Sequence, residues 1–364
     1  MVQALFLQSL SNRMMINETP CGSRFFVYLS FSCIIRPIIS EGLIFMIPEK
    51  RSIAIMKELS IENTKQMLMI NGADVKNPLL LFLHGGPGTP QSGYVRHYQK
   101  ELEQRFTVVH WDQRGSGLSY SKRIPHHSMT ISHFVKDAIQ VTQWLLDHFS
   151  KTKLYLAGHS WGSLLALHVL QQYPDLFYAY YGISQVVNPH YEESAAYHYL
   201  REMSDTKRVS IVSLLIRFIG PPPWEKDIQH IIYRFCVEMG RGGFTHHRRQ
   251  SLAILFQMLT GNEYGIKNMH KFLNGQRFTN KHLTDELYNF NAFKSVPSIK
   301  VPCFFISGRH DLIVPAEISK QYYQELEAPE KRWLQFENSA HSPHVEEPSL
   351  FASTLSSHAL YHLR

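Results

Sequence analysis

The stretch "LYLAGHSWGSLLAL", residues 154–167, constrains this chain more than any other part of it. An apolar run ends in Gly158-His159-Ser160-Trp161-Gly162, and apolar positions at helical spacing follow until Pro174 stops them. The five residues fit G-x-S-x-G, set between a predicted strand and a predicted helix. A strand that turns directly into a helix leaves no room for side chains at the flanking positions, so glycine is needed at both. The turn lifts the serine hydroxyl above the end of the sheet, and the helix N-terminus beneath it supplies positive potential.

The rest of the chain shows what sheet receives that strand. "SIAIMKELSI" and "KQMLMI" read as antiparallel edge strands, with Asn71-Gly72 marking a turn. "PLLLFLH" and "FTVVHWD" read as buried strands, residues 132–149 as an amphipathic helix, and "YAYYGISQVV" as another strand. Alternating strands and helices predict a mostly parallel sheet with helices on both faces. The rhythm breaks over residues 188–295, which are mostly helix-like with "IGPPPW" and "RGGF" as interruptions, and resumes at "VPCFFISG". The predicted organisation is therefore an α/β core over 51–187 and 296–364, split by a helical insertion at 188–295.

Residues 1–50 read differently. "RFFVYLSFSCII" is apolar but is cut by Arg36-Pro37 and is too short to span a bilayer. It has neither a basic start nor a convincing cleavage site, so it does not read as a secretory signal. The expectation is that residues 1–45 precede the working start, Met46 or Met56, with a membrane-associating anchor as the alternative. Charged residues make up 18% of the chain and the net charge is +7, without a concentrated basic tract, which argues against a nucleic-acid partner. Cys21, Cys33, Cys236 and Cys303 are scattered without a CxxC pair. That argues against a zinc-binding or disulfide framework and suits the cytoplasm.

A serine hydroxyl becomes a nucleophile only when a base takes its proton. On a sheet of this kind the chain order is serine, acid, histidine. "CFFISGRHDLIVP" supplies Asp311 just after a strand, beside His310, which reads as a loop-surface histidine. "LQFENSAHSPHVEEP" supplies His341 and His344; His341 is chosen because it follows the strand closely in a loop of small residues, while His344 is expected to begin the next helix. The "HGGPG" loop at 84–88 then has a use. An acyl-transfer oxyanion needs backbone N–H donors aimed at it beforehand. One is expected from Trp161, the other from Gly86, with Gly85 as the alternative. A phosphate-binding loop would instead need Lys followed by Ser or Thr after the glycines, and "GGPGTPQSG" has neither.

Taken in order, "HGGPG", "DQRGSG", "GHSWG", "GRHDLIVP" and "SAHSPHVEEP" resemble the prolyl iminopeptidase-like branch of the α/β-hydrolase superfamily, over residues 51–187 and 297–353. The resemblance implies an α/β-hydrolase fold with a helical cap, and Ser160, Asp311 and His341 as nucleophile, acid and base. It implies structural roles for Asp112 and Arg114. It implies cleavage of small amide or short-peptide substrates through an acyl-enzyme, with a cap carboxylate holding the substrate ammonium. "PPPWEKD" offers Glu225 for that task, with Trp224 as a pocket wall, and Glu238 is a second candidate. The cap is also rich in Arg, Lys and His, so a small ester or lactone hydrolase stands as the alternative, and a non-catalytic ligand-binding protein on the same fold as the third reading. None of this chemistry calls for a metal or an organic cofactor.

Overall fold

A computed structural model describes residues 51–362, apart from 208–209, 225–226 and 262–263. The expectations for residues 1–50 and for Glu225 lie outside the described residues. Eight strands form one sheet: β1 Ile53–Ile61, β2 Thr64–Gly72, β3 Leu79–Leu83, β4 Thr107–Asp112, β5 Leu154–His159, β6 Phe177–Ile183, β7 Cys303–Gly308 and β8 Lys331–Phe336. Their order is β1-β2-β4-β3-β5-β6-β7-β8. β1 and β2 pair antiparallel, β2 meets β4 antiparallel, and the remaining strands run parallel. This is the α/β-hydrolase architecture.

The alternation inside β3 shows how the sheet is covered. Leu79, Leu81 and Leu83 join a core with Phe134 and Leu145 of α1 (Ile131–His148) and Leu164 of α2 (Trp161–Gln172). Leu80 and Phe82 face the other side, where Phe351 and Leu355 cover them. A strand buried on both faces has to be apolar throughout, which is why "LLLFL" shows no polar alternation.

The hairpin differs from expectation. The turn between β1 and β2 is Glu62-Asn63, both left-handed at φ 44° and 65°, and Ile61 pairs with Thr64 across it. A two-residue hairpin loop needs positive φ at both central positions, and Asn tolerates it. Asn71-Gly72 instead closes β2 opposite Ala54 and Ile53. β2 lies between β1 and β4, so of this pair only β1 is an edge.

Among the described residues, α3 Pro189–Lys207, α4 Ser210–Ile219, α5 Asp227–Met239, α6 Arg248–Thr260 and α7 Gly265–Tyr288 fall between β6 and β7. They are tied to the core by two apolar clusters. In one, Tyr197, Ile216, Tyr233 and Val237 enclose Leu312. In the other, Ile254, Met258 and Phe272 pack on Tyr94 and Val345. After β7 come α8 Ala316–Glu325 and α9 Pro348–His362. No helix among the described residues is long and apolar enough to cross a membrane.

Candidate active site

Ser160 stands at the turn between β5 and α2 with φ 53° and ψ −124°. Such a conformation costs a non-glycine residue on the order of 1–3 kcal/mol and persists only where the surroundings dictate it. Here they do. Ser160 N donates to the Ile183 carbonyl at 2.9 Å, and the Ser160 carbonyl accepts from Ser163 N at 2.8 Å and Ser163 Oγ at 2.6 Å. Gly162 lets the turn close: a Cβ there would lie 2.1 Å from the Leu83 carbonyl oxygen. Trp161 opens α2, so its N–H has no carbonyl partner within the helix. Its ring is buried against Phe134, with Nε1 donating to Gln113 Oε1 at 3.0 Å.

The glycine loop lies against this turn. A Cβ on Gly85 would come within 3.2 Å of the Ser160 Cβ, so peptide groups approach the serine with no side chain between them. Gly86 has φ +123°, and a Cβ there would meet Gly88 N at 2.5 Å, which excludes any other residue.

His341 follows β8 and Asp311 follows β7. His341 Nδ1 donates to Asp311 Oδ2 at 2.9 Å, while Asp311 Oδ1 accepts from the N–H groups of Ile313 and Val314, both at 2.9 Å. This bond protonates Nδ1 and leaves the lone pair on Nε2. The loop around His341 is held by the glutamates of "HVEEP". Glu346 Oε2 accepts from Ala340 N at 2.7 Å and Ser342 N at 3.3 Å, and Glu347 Oε2 accepts from Ser339 Oγ at 2.6 Å. Burial pushes the Glu346 carboxyl up to about 7, against the pull of those N–H donors.

A relay missed by sequence reasoning fixes the His341 backbone from below. The His341 carbonyl accepts from His159 Nε2 at 2.7 Å and from Ser184 Oγ at 3.1 Å. His159 Nδ1 accepts from Gln91 Nε2 at 2.7 Å, and Gln91 Oε1 accepts from His344 Nε2 at 3.1 Å. Each ring thus has one tautomer consistent with its partners. Burial holds His344 down at about 3, His84 at about 4 and His159 well below the usual histidine value, so the layer is neutral near pH 7. His344 lies in the short helix Pro343–Glu346, as expected, but it is fully buried. His310 is half-buried, stacked on His246 of the cap with ring centroids 3.9 Å apart.

Ser160, His159 and His341 line a cavity of about 370 Å³, closed on the cap side by Glu193, Arg234 and Glu238. A larger, more open hollow of about 610 Å³, between Arg96 and Gln257, contains none of these residues. Glu193 accepts a hydrogen bond from Tyr288 Oη, with His230 Nδ1 3.8 Å away, and burial raises its carboxyl. Glu238 Oε1 accepts from Phe244 N at 2.9 Å. Glu192, beside Glu193, is buried at the start of the cap and accepts from Val187 N and Asn188 N at 2.7 and 3.1 Å; burial takes it up to about 7.

Trp224 is a correction. It is not among the residues lining this cavity but is buried in the cap core, 4.6 Å from the Tyr233 ring, with Nε1 donating to the Gly220 carbonyl at 3.0 Å. Tyr233, not Trp224, faces the cavity. An indole this large is better buried against other rings than left at a polar cavity wall. The spacing of Arg234 and Glu238, four apart on α5, is the legible sign that the two share a helix face. Among the described residues no group of three His, Cys, Asp or Glu side chains could hold a metal ion.

A family model described as serine aminopeptidase, S33, matches residues 76–348. The probable aminopeptidase YbaC of Bacillus subtilis (strain 168) is 83% identical over 318 residues, spanning 87% of this chain and 100% of that protein. A proline iminopeptidase of Clostridium botulinum (strain Hall) is 26% identical over 288 residues, 77% of this chain and 88% of the relative. Among solved structures, a proline iminopeptidase-related protein from Thermus thermophilus matches with a TM-score of 0.61 at 18% identity, covering 85% of this chain and 98% of that one. The 2-hydroxy-6-oxo-6-phenylhexa-2,4-dienoate hydrolase of Rhodococcus sp. strain RHA1 matches at 0.56 and 19%, covering 84% and 99%. At such identities the structural likeness speaks to the fold.

Proposed function

The chain belongs to the serine aminopeptidase family S33, and on that premise we propose that it is an aminopeptidase of the prolyl iminopeptidase type, working through Ser160, His341 and Asp311. His341 Nε2 takes the Ser160 proton as Oγ attacks the scissile carbonyl. Asp311 holds the imidazole in the tautomer that makes this possible and stabilises the imidazolium that forms. The N–H groups of Trp161 and Gly86 receive the oxyanion. His341 then gives its proton to the leaving amine, and water hydrolyses the acyl-enzyme by the same steps in reverse role.

The observation that carries this reading is the pairing of two chemistries in one cavity. Ser160 and His341, the latter bonded to Asp311, line it. Two carboxylates, Glu193 and Glu238, line it as well. An acyl-transfer site that faces carboxylates suits a substrate with a free α-ammonium group, hence a small amide or short peptide. Glu238 is the better placed of the two for that ammonium, since a single backbone N–H engages it among the described residues, whereas Glu193 is already held by Tyr288. The described cysteines, Cys236 and Cys303, are buried free thiols, which supports a cytoplasmic setting.

The test is hydrolysis of proline naphthylamide alongside a short acyl ester and a lactone, with labelling by a fluorophosphonate probe. The expected result is turnover of the naphthylamide and labelling at Ser160. Folded protein that takes no label would favour a ligand-binding role, and turnover confined to the ester or the lactone would favour an esterase or lactonase.

A further inference from the structure

The cavity contains one charged group that ammonium recognition leaves without a task. Arg234 lines it beside Tyr233, Val237 and Glu238. Among the described residues its guanidinium has neither a hydrogen bond nor an ion pair within 4 Å. It sits close enough to Glu193 to draw that carboxyl down, yet forms no bond with it. A cation that merely neutralised the cavity's acids would be expected to contact one of them. This one lines the same cavity as Ser160 without such a contact.

Its position on α5 gives the ligand a length. Arg234 and Glu238 are separated by one turn of the helix, so their Cβ atoms are about 5–6 Å apart on one face. A dipeptide has an ammonium at one end and a carboxylate at the other, and two extended residues span at most about 7 Å. Opposite charges on adjacent turns of one helix, both facing the cavity and not bonded to each other, match the two ends of such a zwitterion. A longer peptide would place its carboxylate beyond Arg234, and a C-terminal amide would offer no charge for it.

We propose that Arg234 binds the free α-carboxylate of the substrate, so that this site selects dipeptides over C-terminally blocked or longer peptides. The inference rests on the aminopeptidase reading and adds a second anchor to it. Arginine suits the task because its planar fork can grip both carboxylate oxygens at once. The contact lies partly open to water, so the gain is set near the lower end of the range for charge-assisted bonds.

The experiment compares kcat/KM for Pro-Gly, Pro-Gly amide and Pro-Gly-Gly, with proline naphthylamide as a separate control on the wild type. The wild type is expected to favour Pro-Gly over its amide by about tenfold, the gain typical of one exposed charge-assisted contact. In Arg234→Gln that ratio should fall to about one, and in Arg234→Lys it should stay between the two. Circular dichroism of each variant establishes that it is folded. Equal rates on the free acid and the amide in the wild type would overturn the inference while leaving the aminopeptidase reading in place, provided the naphthylamide is cleaved. So would a preference that survives Arg234→Gln. If the wild type cleaves neither the peptides nor the naphthylamide, the aminopeptidase reading fails and this inference goes with it.

Discussion

The carboxyl end of the sheet and the cap that closes it handle their polar residues in opposite ways. At the sheet, the three residues proposed to react are held by several independent contacts, Ser160 through its backbone. Asp311 is held by two backbone N–H groups as well as by His341, and the His341 loop is tied by Glu346, Glu347 and His159. In the cap, Arg234 is unpartnered among the described residues, and Glu238 accepts from Phe244 N alone among them. The helix that carries both groups also exposes apolar side chains, Ile228, Ile231 and Phe235 on α5, as does its neighbour α4 with Ile211, Leu214 and Phe218. Acyl transfer needs reacting atoms held within fractions of an ångström, whereas a long charged side chain can meet a substrate terminus from a range of its own rotamers. The contrast teaches that substitutions at the sheet should act on kcat and substitutions in the cap on the choice of substrate.

The sharpest break would come at Ser160. Ser160→Ala removes one oxygen from a turn whose backbone is held by Ile183 and Ser163, so the fold should survive. Loss of a triad nucleophile costs on the order of 10⁴–10⁶ in kcat. A folded Ser160→Ala protein that keeps more than about a tenth of its naphthylamide activity would remove the sheet from the chemistry altogether, given that scale.

Asp311→Asn should come next. The amide can present its NH₂ to His341 Nδ1 and so favour the wrong tautomer, and a loss of about 10³–10⁴ in kcat is expected with little change in KM. The check is steady-state kinetics across a range of substrate concentration. A change confined to KM would mean that Asp311 serves binding and that the division between sheet and cap is drawn in the wrong place.

Glu238→Gln tests the cap side. It keeps the acceptor for Phe244 N but loses the charge, so kcat/KM on proline naphthylamide should fall by about one to two decades, as for a lost charge-assisted contact. A neutral ester of similar size should lose much less. Equal loss on both substrates would show that the residue supports the packing of the cap and not recognition.

The same contrast accounts for what is legible in the sequence. Elements of the sheet announce themselves because the physics there is local: "LLLFL" has no choice but burial, and Gly162 is required by a carbonyl 2.1 Å from where its Cβ would be. The order of Ser160, Asp311 and His341 along the chain can be read for the same reason, since each follows its own strand. The hairpin misleads because Asn-Gly is the stronger turn signal, yet pairing with β4 keeps Asn71 in the ladder and Asn63 can take the left-handed turn. The cap is hardest to read. Trp224 resembles a pocket wall because it neighbours a glutamate in sequence, but its partners Tyr197 and Tyr233 come from two different helices. Gln91 carries no signal at all: its role depends on His159 and His344, 68 and 253 residues away.

The smallest effect on catalysis, and the finest test of how firmly the sheet side is fixed, concerns His344. His344→Phe keeps a ring in the buried space but leaves Gln91 Oε1 without its donor, two hydrogen bonds away from the His341 carbonyl. Loss of kcat should stay within about tenfold, the range of a modest displacement of the base rather than its removal. Stability should show the larger change: an unsatisfied buried acceptor costs about 1–3 kcal/mol near pH 7, offset in part because the substitution also removes His344 Nδ1, which is buried without a partner. Acid should then erase the difference. Folded His344 titrates at about 3, while in the unfolded chain it titrates near its ordinary value of 6.5. Between those values the unfolded wild type binds a proton that the folded form does not, so the wild type's advantage is complete above pH 6.5 and shrinks steadily as the pH falls below it. The slope is about 1.4 kcal/mol per pH unit for one proton, and the two proteins should converge near about pH 5. Urea unfolding of both at about pH 7, 6 and 5 measures this directly, with the other buried histidines and carboxylates common to the two chains. A stability difference that does not change with pH would mean that His344 takes up its proton as readily in the folded chain as in the unfolded one, and that the layer beneath the base is as open to charge as the cap above it.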